Sequence, residues 1–317
     1  MEILSVYRLS LENKTKETQV LSRFNGESDF FQIVNEFCNY TFQKIHNYID
    51  NSGRQRSFSL ARPPMVNVEE RYIVGVFEPG FTGERFKIKD GITNSLKFNV
   101  QKRDLQSREL FTLIYVPKNS NYAYLCIQKR ENFSIKTVIE STLNLFLNES
   151  GYLDFRLNIE NAPDYNYLKR MIYQGDLKEI RLINEKGLVF DEDLYMDALR
   201  NVRVDRDEHV LKIGKSSSPT IIKNELARVF YKNYLESEKI YFLGNNQGYD
   251  EVSFVLSLDN ITKTFYVKDK SRIRSNMDIT KLVETENGEI IMNSVVEACL
   301  FCIRNIDSSS GDLNNVA

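Results

Sequence analysis

The feature that most narrows the fold is the way β-like segments are grouped. Residues 2–10 (EILSVYRLS) alternate and are β-rich, so they read as a strand. From Ser28, a plausible N-cap, apolar side chains recur at three- and four-residue steps: Phe30, Ile33, Val34, Phe37, Tyr40, Phe42, Ile45 and Ile49. That spacing predicts one amphipathic helix, with His46 at its surface or boundary. Residues 71–91 read as strand, EPGFTG turn and strand, hence a hairpin, and 96–100 as a further strand. Residues 111–117 and 121–128 flank Lys118-Asn119-Ser120 as a second hairpin, and a helix follows over 134–147. The second half repeats this logic with strands at 152–159, 177–184 and 208–214, and helices at 163–173 and 220–237. Three strands between 239 and 268 and a helix at 290–306 complete it. A parallel sheet needs a crossover after nearly every strand. Helices that follow groups of strands predict α+β instead: two mixed domains of antiparallel hairpins packed with amphipathic helices.

At 317 residues the chain exceeds what one core usually serves, since cores stop growing near ~250–300 residues. The expected division is an N-terminal α+β domain at 1–150, a C-terminal α+β domain at 151–306 and a disordered tail at 307–317. Hydrophobic residues at 42% supply a core and exclude a wholly disordered chain. A formal net charge of −2 lacks the basic excess of a protein that wraps duplex DNA, though 42 Lys and Arg leave room for a local basic stripe. The first twenty residues lack the regions of a signal peptide, and no apolar run reaches the ~18 residues of a membrane span. The expectation is a cytoplasmic protein without membrane contact.

Candidate chemistry is dispersed. Cys299 and Cys302 form a CxxC inside an apolar helical run, while Cys38 and Cys126 stand alone, so all read as thiols without a zinc partner set. Arg203 and His209 have an Arg-x5-His spacing, but the segment after His209 is strand-like and the pair reads as an exposed charged turn. Asp191, Glu192, Asp193 and Asp197 cluster without the acid-x-lysine strand of a metal nuclease and read as a solvated face. Gly80-Phe81-Thr82-Gly83 lacks the ending of a phosphate loop and reads as a hairpin turn. Two basic segments are candidate nucleic-acid sites. Lys129, Arg130 and Lys136 gather near a helix start, where free N–H groups favour anions. Lys268, Lys270, Arg272 and Arg274 follow the aromatic Phe265 and Tyr266, a pairing suited to stacking bases and holding phosphates.

Residues 71–142, with RYIVGVFEPGFTGERFKIKDG, FTLIYVP and YLCIQKRENFSIKTVIESTL, resemble uncharacterised proteins of bacterial anti-phage defence islands. So does the C-terminal KTFYVKD, MDITKLVETENGEI and VVEACLFC. The resemblance is one of layout. It implies a defence role within a complex and supplies no catalytic residues. The expected function is therefore a sensor or adaptor, leaning away from an enzyme and needing no cofactor. It would bind a protein partner, with nucleic acid as a candidate second ligand. Two alternatives stand beside it: a divergent nuclease using Mg²⁺, and a self-assembling homo-oligomer.

Overall fold

The structure, a computed structural model, describes residues 2–49, 53, 55–129, 135–184, 207–214, 220–244, 247–259, 261–286 and 289–312. The chain is α+β and divides into two compact units. The first holds residues 1–160 together with 276–304; the second holds 161–275 and 305–317.

The first unit opens with β1 (Ile3–Asn13) and α1 (Phe30–Gln43). Strands β2 (His46–Ile49), β3 (Gln55–Phe58), β4 (Met65–Asn67), β5 (Tyr72–Phe77), β6 (Gly80–Phe81), β7 (Phe86–Lys89), β8 (Leu96–Val100) and β9 (Gln106–Ser107) follow. Then come β10 (Leu110–Tyr115), β11 (Ala123–Lys129), α2 (Lys136–Glu149) and β12 (Phe155–Asn161). The main sheet has the order β12-β1-β11-β10-β5-β4. The long β1 lies inside it, pairing antiparallel with β11 from Ile3↔Lys129 to Leu9↔Ala123.

Alternation along each strand sorts the side chains to two faces. Leu9, Leu11, Ile73, Ile114, Leu125 and Ile127 bury against Phe30, Phe37, Ile139 and Leu143 of α1 and α2. On the other face, Val6, Cys126, Leu113, Val74 and Met65 stand in one register row across five strands.

The second unit contains α3 (Tyr165–Gln174), β13 (Asp176–Asn184), β14 (Asp207–Lys212), α4 (Thr220–Tyr231), β15 (Glu251–Leu258) and β16 (Ile261–Tyr266). Its antiparallel sheet has the order β14-β13-β15-β16. Leu168, Met171 and Ile172 of α3 and Leu226, Val229 and Phe230 of α4 share one core with that sheet. The Phe254 and Phe265 rings stack at 4.9 Å, and Phe230 meets both edge-on. Asp164 caps α3 through the Tyr167 amide at 3.1 Å. Gly175 ends it, where a Cβ would meet the Met171 carbonyl oxygen at 2.5 Å. The chain then returns to the first unit. Strand β17 (Asn276–Asp278) pairs with Ile3–Ser5 of β1, and α5 (Met292–Asp312) carries Cys299, which hydrogen-bonds Cys126.

Several expectations are corrected. The single cut near residue 150 does not describe the units, because strand pairing carries 276–304 back to the first one. Residues 307–312, expected in a disordered tail, continue α5. Helix α1 stops at Gln43, and residues 46–49 form β2 against β3, with His46 opposite Phe58. The residues of 71–91 do not close a local hairpin. β5 pairs with β4 and β10, while β7 pairs with β8. Gly80 sits in β6 against β3 and β9, so close that a Cβ would meet Ser57 Oγ at 2.7 Å and Leu105 Cδ1 at 2.8 Å. The expected turn there is a tight sheet crossing. The pairing of β10 with β11 agrees with the second hairpin.

The cap of α1 is Asp29, not Ser28. Its carboxylate accepts from the Phe31 amide at 3.0 Å and from both terminal nitrogens of Arg71 at 2.8 Å. Arg71 Nε donates to the Val116 carbonyl at 2.7 Å, and its guanidinium lies over the Phe31 ring. Burial opposes ionisation of Asp29, but Arg71 and the Phe31 amide outweigh it and hold the carboxyl below its ordinary 3.8. Replacing Arg71→Met leaves the half-buried Asp29 carboxylate without its counter-ion and the Val116 carbonyl without this donor, and is expected to cost about 3 kcal/mol in urea unfolding. A carboxyl depressed on folding stabilises above its unfolded value. The gap between wild type and variant should therefore close as pH falls below 3.8 through the lower folded value.

Candidate partner-binding cleft

Helix α5 buries one stripe and shows another. Val295, Ala298, Cys299, Cys302, Ile303 and Ile306 are buried, at the three- and four-residue steps of one helical face. Asn293, Glu297, Phe301 and Arg304 form the exposed stripe opposite. That stripe walls a cleft of about 720 Å³ whose other lining includes Met65, Glu70, Tyr72 and Leu282. The floor follows from the register: Met65 and Tyr72 lie on the same sheet face as Val74 and Cys126, on the strands nearest the edge. Among the described residues strand β4 is the last in the sheet order, so its outer edge carries peptide groups that the ladder leaves unused, and Met65 of that strand lines the cleft.

The lining mixes apolar surface with charge. Met65 and Phe301 are 55% and 50% exposed, and Leu282 adds apolar area beside them. Glu70 is fixed by its own turn, where its amide donates to Asn67 Oδ1 at 2.9 Å. Glu297 and Arg304 project from α5. Such a surface can seat an extended peptide: the strand edge offers backbone hydrogen bonds, Met65 and Phe301 offer apolar contact, and the charges set direction.

The cysteines agree with their reading as core thiols. All four are free and buried. Burial pushes Cys38 up to about 12, and burial together with Cys299 holds Cys126 well above its ordinary value. Neither Cys38 nor Cys126 is a thiolate at neutral pH, so neither is primed as a nucleophile. Among the described residues, no three of His, Cys, Asp and Glu gather to hold a metal ion. The cluster Asp191, Glu192, Asp193 and Asp197 and Arg203 lie outside the described residues. His209 sits in β14 with Nε2 3.1 Å from Asp207 Oδ2. His46 packs on Tyr40, and burial draws it below its ordinary value.

The basic candidates fall in different units. Lys129 is exposed at the end of β11, and Lys136 opens α2 with Nζ 3.9 Å from Glu140. Arg130 lies outside the described residues. The Lys268–Arg274 segment belongs to the second unit, and much of its cationic surface is used internally. Lys268 Nζ donates to the Glu236 carbonyl at 3.1 Å, and Lys270 Nζ lies 5.2 Å from the Phe230 ring centroid. Arg272 stacks on Tyr266 at 4.1 Å and remains half exposed, beside an exposed Arg274. The segment is anchored by a carboxylate. Buried Glu251 accepts from the amides of Val252, Val267, Lys268 and Asp269 at 2.9–3.1 Å.

Sequence reasoning missed this carboxylate and the cleft. Glu251 opens a strand like any exposed acid would. The cleft joins residues 65–72 to 282–304, and its one local signal was the polar stripe opposite Cys299. No family model matches the chain, and no curated protein is similar to it.

Lys263, on β16 ahead of this segment, is also buried. Its ammonium donates to the Arg274 carbonyl at 2.7 Å, and burial pulls it down to about 8 from 10.5, against a smaller opposing pull from Asp164. Between those values the unfolded chain holds the proton and the folded one does not, so stability rises with pH across the window. Relative to Lys263→Met, the wild type should gain on the order of 3 kcal/mol between pH 8 and pH 10.5 in urea unfolding. A pH-independent difference would show that the ammonium is solvated.

Proposed function

We propose that this chain is a non-catalytic adaptor of a bacterial anti-phage defence complex. It recruits a protein partner by taking an extended segment of that partner into the cleft beside α5. The observation that carries the reading is the juxtaposition of an open strand edge, β4, with the exposed Phe301 stripe of α5 across a cleft of about 720 Å³. Apolar surface rimmed by polar groups marks interaction sites, and a strand edge supplies the backbone pairing. The layout shared with defence-island proteins supports the biological setting. Nucleic acid is a second ligand in this reading, with Lys129, Lys136, Arg272 and Arg274 the exposed or half-exposed cations for it. No described helix is long and apolar enough to cross a membrane.

The test is co-expression with the proteins encoded beside it, followed by purification on a tag carried by this chain. Phe301→Asp places a charge in the cleft at a half-exposed position, so the fold should survive. The expected result is a stoichiometric partner with the wild type and at least a ~10-fold weaker complex with the variant. Equal recovery of the partner by both proteins would remove the cleft from the reading. The nuclease alternative is checked in the same preparation with plasmid, RNA and Mg²⁺ or Mn²⁺; the adaptor reading expects intact substrates.

A further inference from the structure

The stripe that α5 turns to the cleft carries charges of opposite sign. Glu297 and Arg304 both line it and both are exposed. Among the described residues neither side chain has an ion-pair partner. Seven residues separate them, which is two helical turns, so they share one face about 10.5 Å apart. That is close to the screening length at 0.1 M salt, and the two charges do little for each other. Phe301 stands between them, one turn from each. Glu70, whose carboxylate accepts from Asn67 Nδ2 at 3.3 Å, brings a second acid to the lining.

We propose that the segment seated in this cleft is an extended peptide whose inward side chains alternate cation, apolar, acid. A Lys or Arg meets Glu297, a Leu-sized side chain meets Phe301, and an Asp or Glu meets Arg304. The proposal rests on the cleft being the partner site and adds the chemistry of its occupant. Three considerations select that chemistry. The first is charge. Nucleic acid or an anionic bilayer would bring phosphates against Glu297 and Glu70, and a purely basic segment would bring its cations against Arg304. Like charges facing each other across an interface are costly, so only a segment bearing both signs satisfies the whole lining. The second is spacing. In an extended chain alternate side chains share a face about 6.6 Å apart, so the first and fifth positions span about 13 Å. Flexible Lys, Arg and Glu side chains take up the difference from about 10.5 Å, while the third position falls over Phe301. The third is the apolar middle. Phe301, Met65 and Leu282 leave apolar surface between the charges, and a side chain covering it excludes water from the flanking pairs. Because Glu297 precedes Arg304 on α5, the order of the two charges also sets the direction in which the segment lies.

The test is fluorescence anisotropy of fluorescein-labelled peptides titrated with the full chain at low salt, up to about 1 mM, the range of a short weak segment. The probes are Thr-Lys-Thr-Leu-Thr-Asp-Thr, its two-lysine and two-aspartate forms, and a form with Ser in place of Leu. Arg304→Glu and Phe301→Asp accompany the wild type, and far-ultraviolet circular dichroism checks that both exposed-site variants are folded. The wild type is expected to bind the mixed-charge peptide at least ~5-fold more tightly than each of the other three. Arg304→Glu should turn the preference to the two-lysine peptide by a similar factor, and Phe301→Asp should weaken binding of all the leucine peptides. Binding that needs the leucine and Phe301 but ignores the charges overturns the proposal and leaves the cleft as the partner site. Binding unchanged in Phe301→Asp lies elsewhere on the protein and overturns it too, as does a preference that Arg304→Glu fails to move. No binding by any peptide at the highest concentration also overturns it, while recovery of the co-expressed partner by wild type and Phe301→Asp judges the cleft separately. Displacement of the mixed peptide by duplex DNA would give the cleft to a polyanion instead.

Discussion

The first unit hangs on a buried guanidinium. Arg71 reaches three acceptors from a strained position, with φ at +58°, and they lie on two separate segments: both oxygens of Asp29 at the start of α1, and the Val116 carbonyl after β10. A charge withdrawn from water is tolerable only when its donors are fully used. Here that requirement fixes where α1 begins and how the Phe30–Phe37 face meets the sheet. The second unit solves the same problem with the opposite sign. Glu251 spends its carboxylate on four backbone amides and thereby holds the chain that follows Phe265 and Tyr266. In both cases a single ion organises backbone that the apolar core alone would leave underdetermined.

Local signals were legible where the chain answers to itself. Asp164 and Gly175 bracket α3 as a cap and a stop should, and the β10–β11 pair follows from two alternating runs around a short polar turn. The apolar setting of Cys299 and Cys302 foretold buried thiols. Signals failed where distant segments decide. Ile45 and Ile49 fit a helical period, but β3 was available as a partner and residues 46–49 became strand. Phe77 and Phe86 look like the arms of one hairpin, yet β10 competes for β5 and leaves β7 to β8. The cleft was invisible for the same reason, because Met65 and Phe301 are 236 residues apart in the chain and have no shared motif.

Cations and apolar residues trade their usual places in this protein. Lys263 is enclosed, Lys270 rests on a phenylalanine ring and Arg272 lies flat on a tyrosine, so part of the basic charge serves the second unit's own packing. Meanwhile Phe86, Phe98, Met65 and Phe301 stand at the surface of the first. A reading based on where lysines and arginines cluster in the sequence points to one half of the chain. The surfaces that remain energetically unsettled lie in the other.

The route of the chain has a consequence for how the protein is made. Strand β1 leaves the ribosome long before its partners: β17, which pairs with it, and the helix that meets Cys126 are encoded more than 270 residues later. During synthesis the sheet can take up α1 and α2 early, while the face bearing Val6, Cys126 and Leu113 stays uncovered until the residues of α5 are made. The second unit waits as well, since residues beyond 304 belong to it together with 161–275. A nascent chain that stalls after residue 275 would therefore present a sheet with one greasy face bare, the kind of intermediate that chaperones hold and proteases remove.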